Sequence, residues 1–423
     1  MEARSRRPTR SRSSATACAR LSRRRSCART CGIPRRPRRD ASEREEAAPD
    51  REKGRRLMDV VIDRRALARA LDPVAKVATK KSTMVVLENA HIVARDSVLS
   101  LTANETHRAA RATAPAKIAK SGEALVSAAA IAAAVAKLGG DEVRLSAADS
   151  SLVVSSGSAR VRLPTARMDD WPVPPFAATE QGWIELPAQA LRDVFAASYA
   201  VSSDTSRPHL GGLLLEVEGS ARTLRACAAD GHRLALHTSK LKEAPAGSFR
   251  VVVPSEAISL ITKAMGDAER VDVLRGDKLF ELRVGALRLS TVLLDDGFPA
   301  YDRVIPTGHP TRISAARAEL ISAIDLAMLA SPDGSGGVSL ELAAGSLSVK
   351  AESAERGEAQ SAVAVDQQGP DTRIAVNGVY LRHALNAQVD DVITVELAGD
   401  LDPLVVVDAA RERLNVTMPM RNA

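Results

Sequence analysis

The 423-residue chain is expected to be an α+β protein of three repeated units, each with two helices packed on β-sheets, and three observations predict this. Residues 125–138 (LVSAAAIAAAVAKL), 252–265 (VVPSEAISLITKAM) and 375–388 (AVNGVYLRHALNAQ) share one pattern: a short apolar strand, a polar or small cap, then an amphipathic helix. Val126, Val253 and Val376 mark the copies at nearly equal separations. Pro-rich connectors, WPVPPF at 171–176 and IPTGHP at 305–310, punctuate the repeat.

The first half of each unit repeats as well. Residues 63–77, 187–200 and 314–330 carry apolar side chains at helical spacing: Leu67, Leu71 and Val74; Leu191, Val194 and Phe195; Leu320, Ile324 and Met328. Alternating stretches from Val85, Leu210 and Val338 predict strands after each helix. The order is therefore helix, strands, helix, strands, with domains expected at 58–177, 178–306 and 307–423.

Charge separates the first 57 residues from the rest. That arm holds 19 Lys+Arg against 7 Asp+Glu, whereas the body is mildly acidic although the whole chain is +7. With runs such as Arg23-Arg24-Arg25 and almost no apolar periodicity, residues 1–57 read as disordered. They could be a nucleic-acid-binding tail, a targeting peptide, or no natural part of the protein if translation begins at Met58. Cys18, Cys27 and Cys31 lie in the arm, at a spacing poor for zinc, and Cys227 alone lies in the body. No internal disulfide of the body and no apolar run of membrane length point to a cytoplasmic protein.

Enzymatic patterns are missing from the sequence: no G-x4-G-K-[ST], no G-x-G-x-x-G after a strand, no H-E-x-x-H, no G-x-S-x-G. Asp230 with His232 is the one tempting pair, and an Asp-Gly-His turn is more often a hydrogen-bonded loop than a catalytic centre. No catalytic residue, metal or cofactor is expected. Two stretches remain: ACAADGHRLAL at 226–236, where Gly231 permits a tight turn, and VTMPMR at 416–421, whose methionines suit a surface that accepts different ligands.

DGHRLA, the terminal MPMR and the block GFPAYDRVIP at 297–306 resemble the beta subunit of bacterial DNA polymerase III, the sliding-clamp family. The resemblance is collinear from Met58 to Arg421. It implies a homodimer closed head to tail into a ring of six domains around duplex DNA, helices lining the hole. It also implies a groove between the second and third domains for apolar peptides of partner proteins. Matched positions are Leu210, Gly231, His232, Arg233 and Leu234; Pro254 and Ile258; Asn377 and Tyr380; and Val416, Met418, Pro419, Met420 and Arg421. Leu210, Leu234 and Ile258 taken alone also read as ordinary core. Ala229 stands where the family commonly has Thr.

For DNA, the resemblance matches Lys81 and Arg207 to DNA-touching positions. Lys80, Lys137 and Lys263 join them as basic residues on or beside helices, with Lys76, Arg192, Arg317 and Arg382 as weaker candidates. The subunit seam would set Arg160, Val161, Arg162 and Leu163 against Leu326 and Leu329, with Glu355 and Glu358 as charge partners. Implied partners are the replicative polymerase's catalytic subunit, an ATP-dependent clamp loader, translesion polymerases, mismatch-repair proteins and ligase. The function expected is a non-catalytic processivity factor. A specialised, inhibitor-resistant second clamp is one alternative; others are a sequence-nonspecific DNA-binding protein using the arm, or a hydrolase at Asp230 and His232.

Overall fold

The structure, a computed structural model, describes residues 58–78, 84–148, 150–295, 297–331 and 336–420. The arm at 1–57, Lys80, Lys81 and Arg421 lie outside the described residues. Six helices appear in pairs: α1 (Arg64–Val77), α2 (Ala128–Lys137), α3 (Ala188–Phe195), α4 (Ser255–Met265), α5 (Arg317–Met328) and α6 (Gly378–Asn386). Three start on a side-chain cap that accepts an otherwise unpaired amide: Asp63 from Ala66 N at 2.7 Å, Ser127 from Ala130 N at 3.3 Å, Asn377 from Tyr380 N at 3.1 Å. The caps fall where the polar residue precedes the apolar period, so sequence and structure agree there.

Two predicted helices are shorter than their periodicity suggested. Residues 314–316 belong to the strand Thr311–Ala316, whose burial alternates and which pairs with Val392–Leu397. Period-2 packing claims Ile313 and Ala315 before the helix begins. The helix expected over 187–200 starts after the strand Ile184–Pro187, and beyond Phe195 it tightens into a 3-10 turn, Ala196–Ala200.

Four antiparallel sheets carry the helices, and two of them cross repeat boundaries. The eight-stranded sheet joins the first and second repeats where Leu287–Val292 pairs with Arg108–Pro115, setting Leu289 opposite Ala110. The nine-stranded sheet joins the second and third where Arg233–Lys240 pairs with Arg413–Thr417, setting Leu234 opposite Val416. One core cluster runs continuously through the first two repeats, a second fills the third, and a small third cluster underlies the second–third seam. The remaining sheets, of five and four strands, end in the strands Ala159–Pro164 and Gly357–Ala364, each paired on one side.

Polar groups are buried at the second–third seam. His237 is 1% exposed, with one ring nitrogen 3.3 Å from Asp193 O and the other 3.3 Å from Asn415 Oδ1. Tyr199 OH donates to the same Asn415 oxygen at 2.7 Å, and Arg413 binds Asp193 at 3.0 Å. Burial first, then Arg413, holds the imidazole at about 4, against an ordinary 6.5. The folded protein thus keeps His237 neutral where the unfolded chain would already take up a proton. Stability is lost as pH falls from about 6.5 to about 4, by at most ~3 kcal/mol from this residue. Urea unfolding at about pH 7 and about pH 4.5 should therefore show a larger acid loss for the parent than for His237→Gln. Equal losses would remove His237 as the cause.

Candidate functional site at the second–third seam

The strands Thr223–Ala229 and Arg233–Lys240 are joined by the Asp230-Gly231-His232 turn. Asp230 Oδ1 accepts from the amides of His232 at 2.9 Å and Arg233 at 3.0 Å, an Asx turn that leaves Gly231 at φ 92°. A side chain there would strain that backbone, and its Cβ, 2.5 Å from the Arg207 guanidinium, would push that group aside. The chain end is laid against this turn: Met418 N donates to His232 O at 2.9 Å, Pro419 bridges Val376, and Met420 N donates to Ala375 O at 2.7 Å.

Leu210, Leu234 and Val416 form the floor, at 6%, 3% and 1% exposure, in one cluster with Leu214, Phe298 and Tyr301. The Cys227 thiol lies in that cluster, its pKa pushed up by burial. Met418, 38% exposed, stands above as the pliable edge. Aromatic and charged groups fix the far wall. His232 stacks on Tyr380 with centroids 6.5 Å apart, and the Arg233 guanidinium lies 4.4 Å over the Tyr380 ring. Arg233 also donates to Asp230 at 2.9 Å and to His383 Nδ1 at 2.8 Å. A guanidinium only donates, so His383 accepts through a bare nitrogen. Burial, then Arg233 and Arg382, lowers the His383 pKa accordingly.

The structure gathers nine of the predicted groove residues: Leu210, Gly231 to Leu234, Tyr380, Val416, Met418 and Pro419. Three others are placed as follows. Ile258, 3% exposed, belongs to the large core of the first two repeats, Asn377 caps α6, and Pro254 ends the strand Phe249–Pro254 ahead of α4. Arg207, expected at DNA, is half exposed, pairs with Asp204 at 3.7 Å and has its guanidinium beside Gly231 on the groove turn. Sequence alone did not show this, since a chain reversal separates the two positions.

Asp230 accepts from the His232 amide, which builds the pair into a turn. Among the described residues no cluster of His, Cys, Asp and Glu could hold a metal ion, and no helix is long and apolar enough to cross a membrane.

Lys137 on α2 and Lys263 on α4 are exposed. Arg192 is occupied, donating to Gly266 O at 2.6 Å and Ala268 O at 2.8 Å; Lys76 pairs with Asp72, Arg382 with Asp325, and Arg317 binds Asp390 O. Arg65 and Arg69, exposed one turn apart on α1, are basic positions that the sequence reading passed over; their i, i+4 spacing opposite Leu67 and Leu71 was the available signal. At the open sheet edges, Arg160, Arg162, Glu355 and Glu358 are exposed and Val161 is half-buried, while Leu163 is buried in the core. Leu326 and Leu329 are 45% and 70% exposed.

Three family models match the chain in order: the DNA polymerase III beta subunit N-terminal domain over 58–175, its central domain over 185–300 and its C-terminal domain over 302–421. The beta sliding clamp of Pseudomonas putida is 29% identical over 374 residues, covering 86% of this chain and 100% of that protein. That of Caulobacter vibrioides is 29% identical over 371 residues, with the same coverage. Among solved structures, the DNA polymerase sliding clamp of Bacillus subtilis superposes with a TM-score of 0.82 at 25% identity, covering 86% of this chain and 100% of that one. The Pseudomonas aeruginosa sliding clamp bound to griselimycin gives 0.81 at 27%, covering 86% and 99%. With the three domain models matching in order across residues 58–421, the chain belongs to the DNA polymerase III beta subunit family, the bacterial DNA sliding clamps.

Proposed function

We infer that this sliding clamp encircles duplex DNA as a head-to-tail homodimer, works without catalysis, and tethers replication and repair proteins by their peptides in the second–third groove. The observation that carries the reading is the unfinished third seam. Each closed seam pairs the last strand of one repeat with the strand that follows the hairpin turn of another. The same two kinds of strand remain bare at the chain's outer edges, as Ala159–Pro164 and Gly357–Ala364. Bare edges invite a partner, and a second copy supplies the missing strand.

Register can be carried across from the closed seams. Ala109 and Leu234 each follow the turn and face the last strand at Ser290 and Val416; the matching positions at the open edges are Glu358 and Arg162. Opposite charges would then face each other across the new seam. Helices agree with this. α1 touches α4 at the first–second seam, so α5 would meet α2 of the other copy. That contact gives exposed Leu326 and Leu329 an apolar counterface, because α2 shows Ala129, Ala133 and Ala136 along one stripe. Domain bounds at 58–177, 178–306 and 307–423 fit these seams.

The groove offers a buried aliphatic floor, a flexible methionine edge and an aromatic-arginine wall, suited to an extended peptide with apolar anchors. Polymerase, clamp loader, translesion polymerases, mismatch-repair proteins and ligase are the partner class. DNA would meet Lys137, Lys263, Arg65 and Arg69 through phosphates alone, without base readout.

Loaded clamp should leave linear duplex through its ends and stay on closed circles. Equal retention on both, measured by gel filtration, would end the encirclement reading. The double change Arg160→Glu and Arg162→Glu should shift the dimer to monomer by sedimentation, with Glu358→Lys recovering part of the loss. Removing residues 418–423 should weaken partner-peptide binding at least about tenfold while the dimer persists. Undiminished anisotropy with labelled peptide would displace the groove.

A further inference from the structure

In the first and third repeats the opening strand is covered along its outer edge by a short strand from later in the same repeat. Lys117–Lys120 covers Met58–Asp63 and Asp366–Gln368 covers Thr311–Ala316, both antiparallel. The second repeat lacks such a cover: Ile184–Pro187 pairs with Arg270–Arg275 alone and ends the eight-stranded sheet. Alternation identifies the bare groups, because opposed residues in an antiparallel pair exchange hydrogen bonds only at every second position. Ala188 N donates to Glu269 O at 2.8 Å, so Leu186 and Ile184 spend their amides and carbonyls on Val271 and Val273. Glu185 and Trp183 therefore turn theirs to the open side. The equivalent bonds, Arg64 N to Asp141 O and Arg317 N to Asp391 O, make their counterparts Val61 and Asp59, and Ser314 and Arg312. Those counterparts do face a strand, opposite Lys117 and Lys120 in the first repeat and Asp366 and Gln368 in the third.

The segment 241–248 occupies the place in the chain where the cover would form, and it is tied elsewhere. Leu241 N donates to Arg222 O at 2.8 Å and Gly219 N to the Ser248 hydroxyl at 2.9 Å, which hold the segment on the turn between Gly212–Glu218 and Thr223–Ala229. Between it and Ile184–Pro187 lies a cavity of about 600 Å³ that borders Glu185 and has Pro187, Ala190, Leu241 and Pro245 on its apolar side. The segment comes back to Ile184 at Gly247, where an added Cβ would stand 3.2 Å from Ile184 Cδ1, and that closes one end of the slot. Most charges around the cavity are already paired: Glu185 and Glu243 with Arg270, Lys240 with Glu412, Asp193 with Arg413. Recognition there falls to backbone hydrogen bonds and an apolar side chain.

We propose that the open edge of Ile184–Pro187 is a strand-acceptor site, which takes an extended antiparallel segment of a partner protein, three or four residues long, with an apolar side chain turned inward. Length and direction are those of the two covering strands, and the inward residue follows Ile118, which packs on the core opposite Val60. Main-chain bonds to Glu185 would supply the affinity and the inward side chain the selection.

A labelled peptide copying residues 115–121 of this chain, PAKIAKS, tests it on the full chain by fluorescence anisotropy. It should bind saturably. Glu185→Pro withdraws the open amide at a place where an edge strand tolerates proline, and should cost about tenfold in affinity. Glu185→Ala, which keeps that amide, should cost less than about twofold. Methylating the peptide amide at the lysine that copies Lys117, which faces the acceptor, should cost as much as the proline; methylation at the isoleucine that copies Ile118 should leave binding in place. Absence of binding, or indifference to both Glu185→Pro and methylation at that lysine, overturns the acceptor edge. Association beyond the dimer that Glu185→Pro abolishes, read by sedimentation, would seat a second copy there and overturn the partner segment.

Discussion

Unpaired strand edges govern this molecule. Each repeat ends in one strand with a bare row of amides and carbonyls and edges its other sheet with the strand after the hairpin turn, and buried or half-buried backbone groups need partners. Within the chain, two such pairs of edges close on each other, through Leu289 with Ala110 and Leu234 with Val416. A chain of three repeats necessarily leaves one pair over. Repetition with an unfinished seam is a strong drive toward a closed assembly, and it costs no dedicated dimerisation element.

The same pairing creates the groove at the second–third seam. Because Arg413–Thr417 must reach Arg233–Lys240 to close the seam, the residues after Thr417 are delivered beside the Asp230-Gly231-His232 turn. The floor is then rigid, being sheet, and the edge is soft, being a chain end with Met418. Beneath it, Tyr199, His237, Asn415 and Arg413 lock the second and third repeats through polar bonds that have little water to compete with them. Arg233 belongs to both systems, touching Tyr380 at the wall and His383 on α6. One guanidinium thus touches the groove wall at Tyr380 and the lock at Tyr199.

Much of this was legible in the chain because the helices are amphipathic and capped, so period and punctuation coincided at Asp63, Ser127 and Asn377. What was illegible follows a physical pattern. Ser314 lies where a strand's alternation runs directly into a helix's period, and the two overlap for a few residues. Ile258 carries an apolar side chain whose neighbours decide between core and groove, and neighbours are not in the sequence. Arg207 was placed at DNA by resemblance; the fold adds that its guanidinium lies beside Gly231, a proximity no sequence spacing shows. Lys80, Lys81 and Arg421 lie outside the described residues.

Charge on the helices bears on how such a ring could hold DNA. Among the described residues, Arg192 and Arg317 bind backbone carbonyls and Lys76 and Arg382 pair with carboxylates at the surface, while Arg65, Arg69, Lys137 and Lys263 are exposed. For a protein that adheres to DNA, few phosphate ligands would be a defect, since affinity scales with the number of phosphates neutralised. For a protein that encloses DNA the requirement reverses. Each added phosphate contact would raise the barrier to moving along the duplex, whereas retention comes from the closed seams.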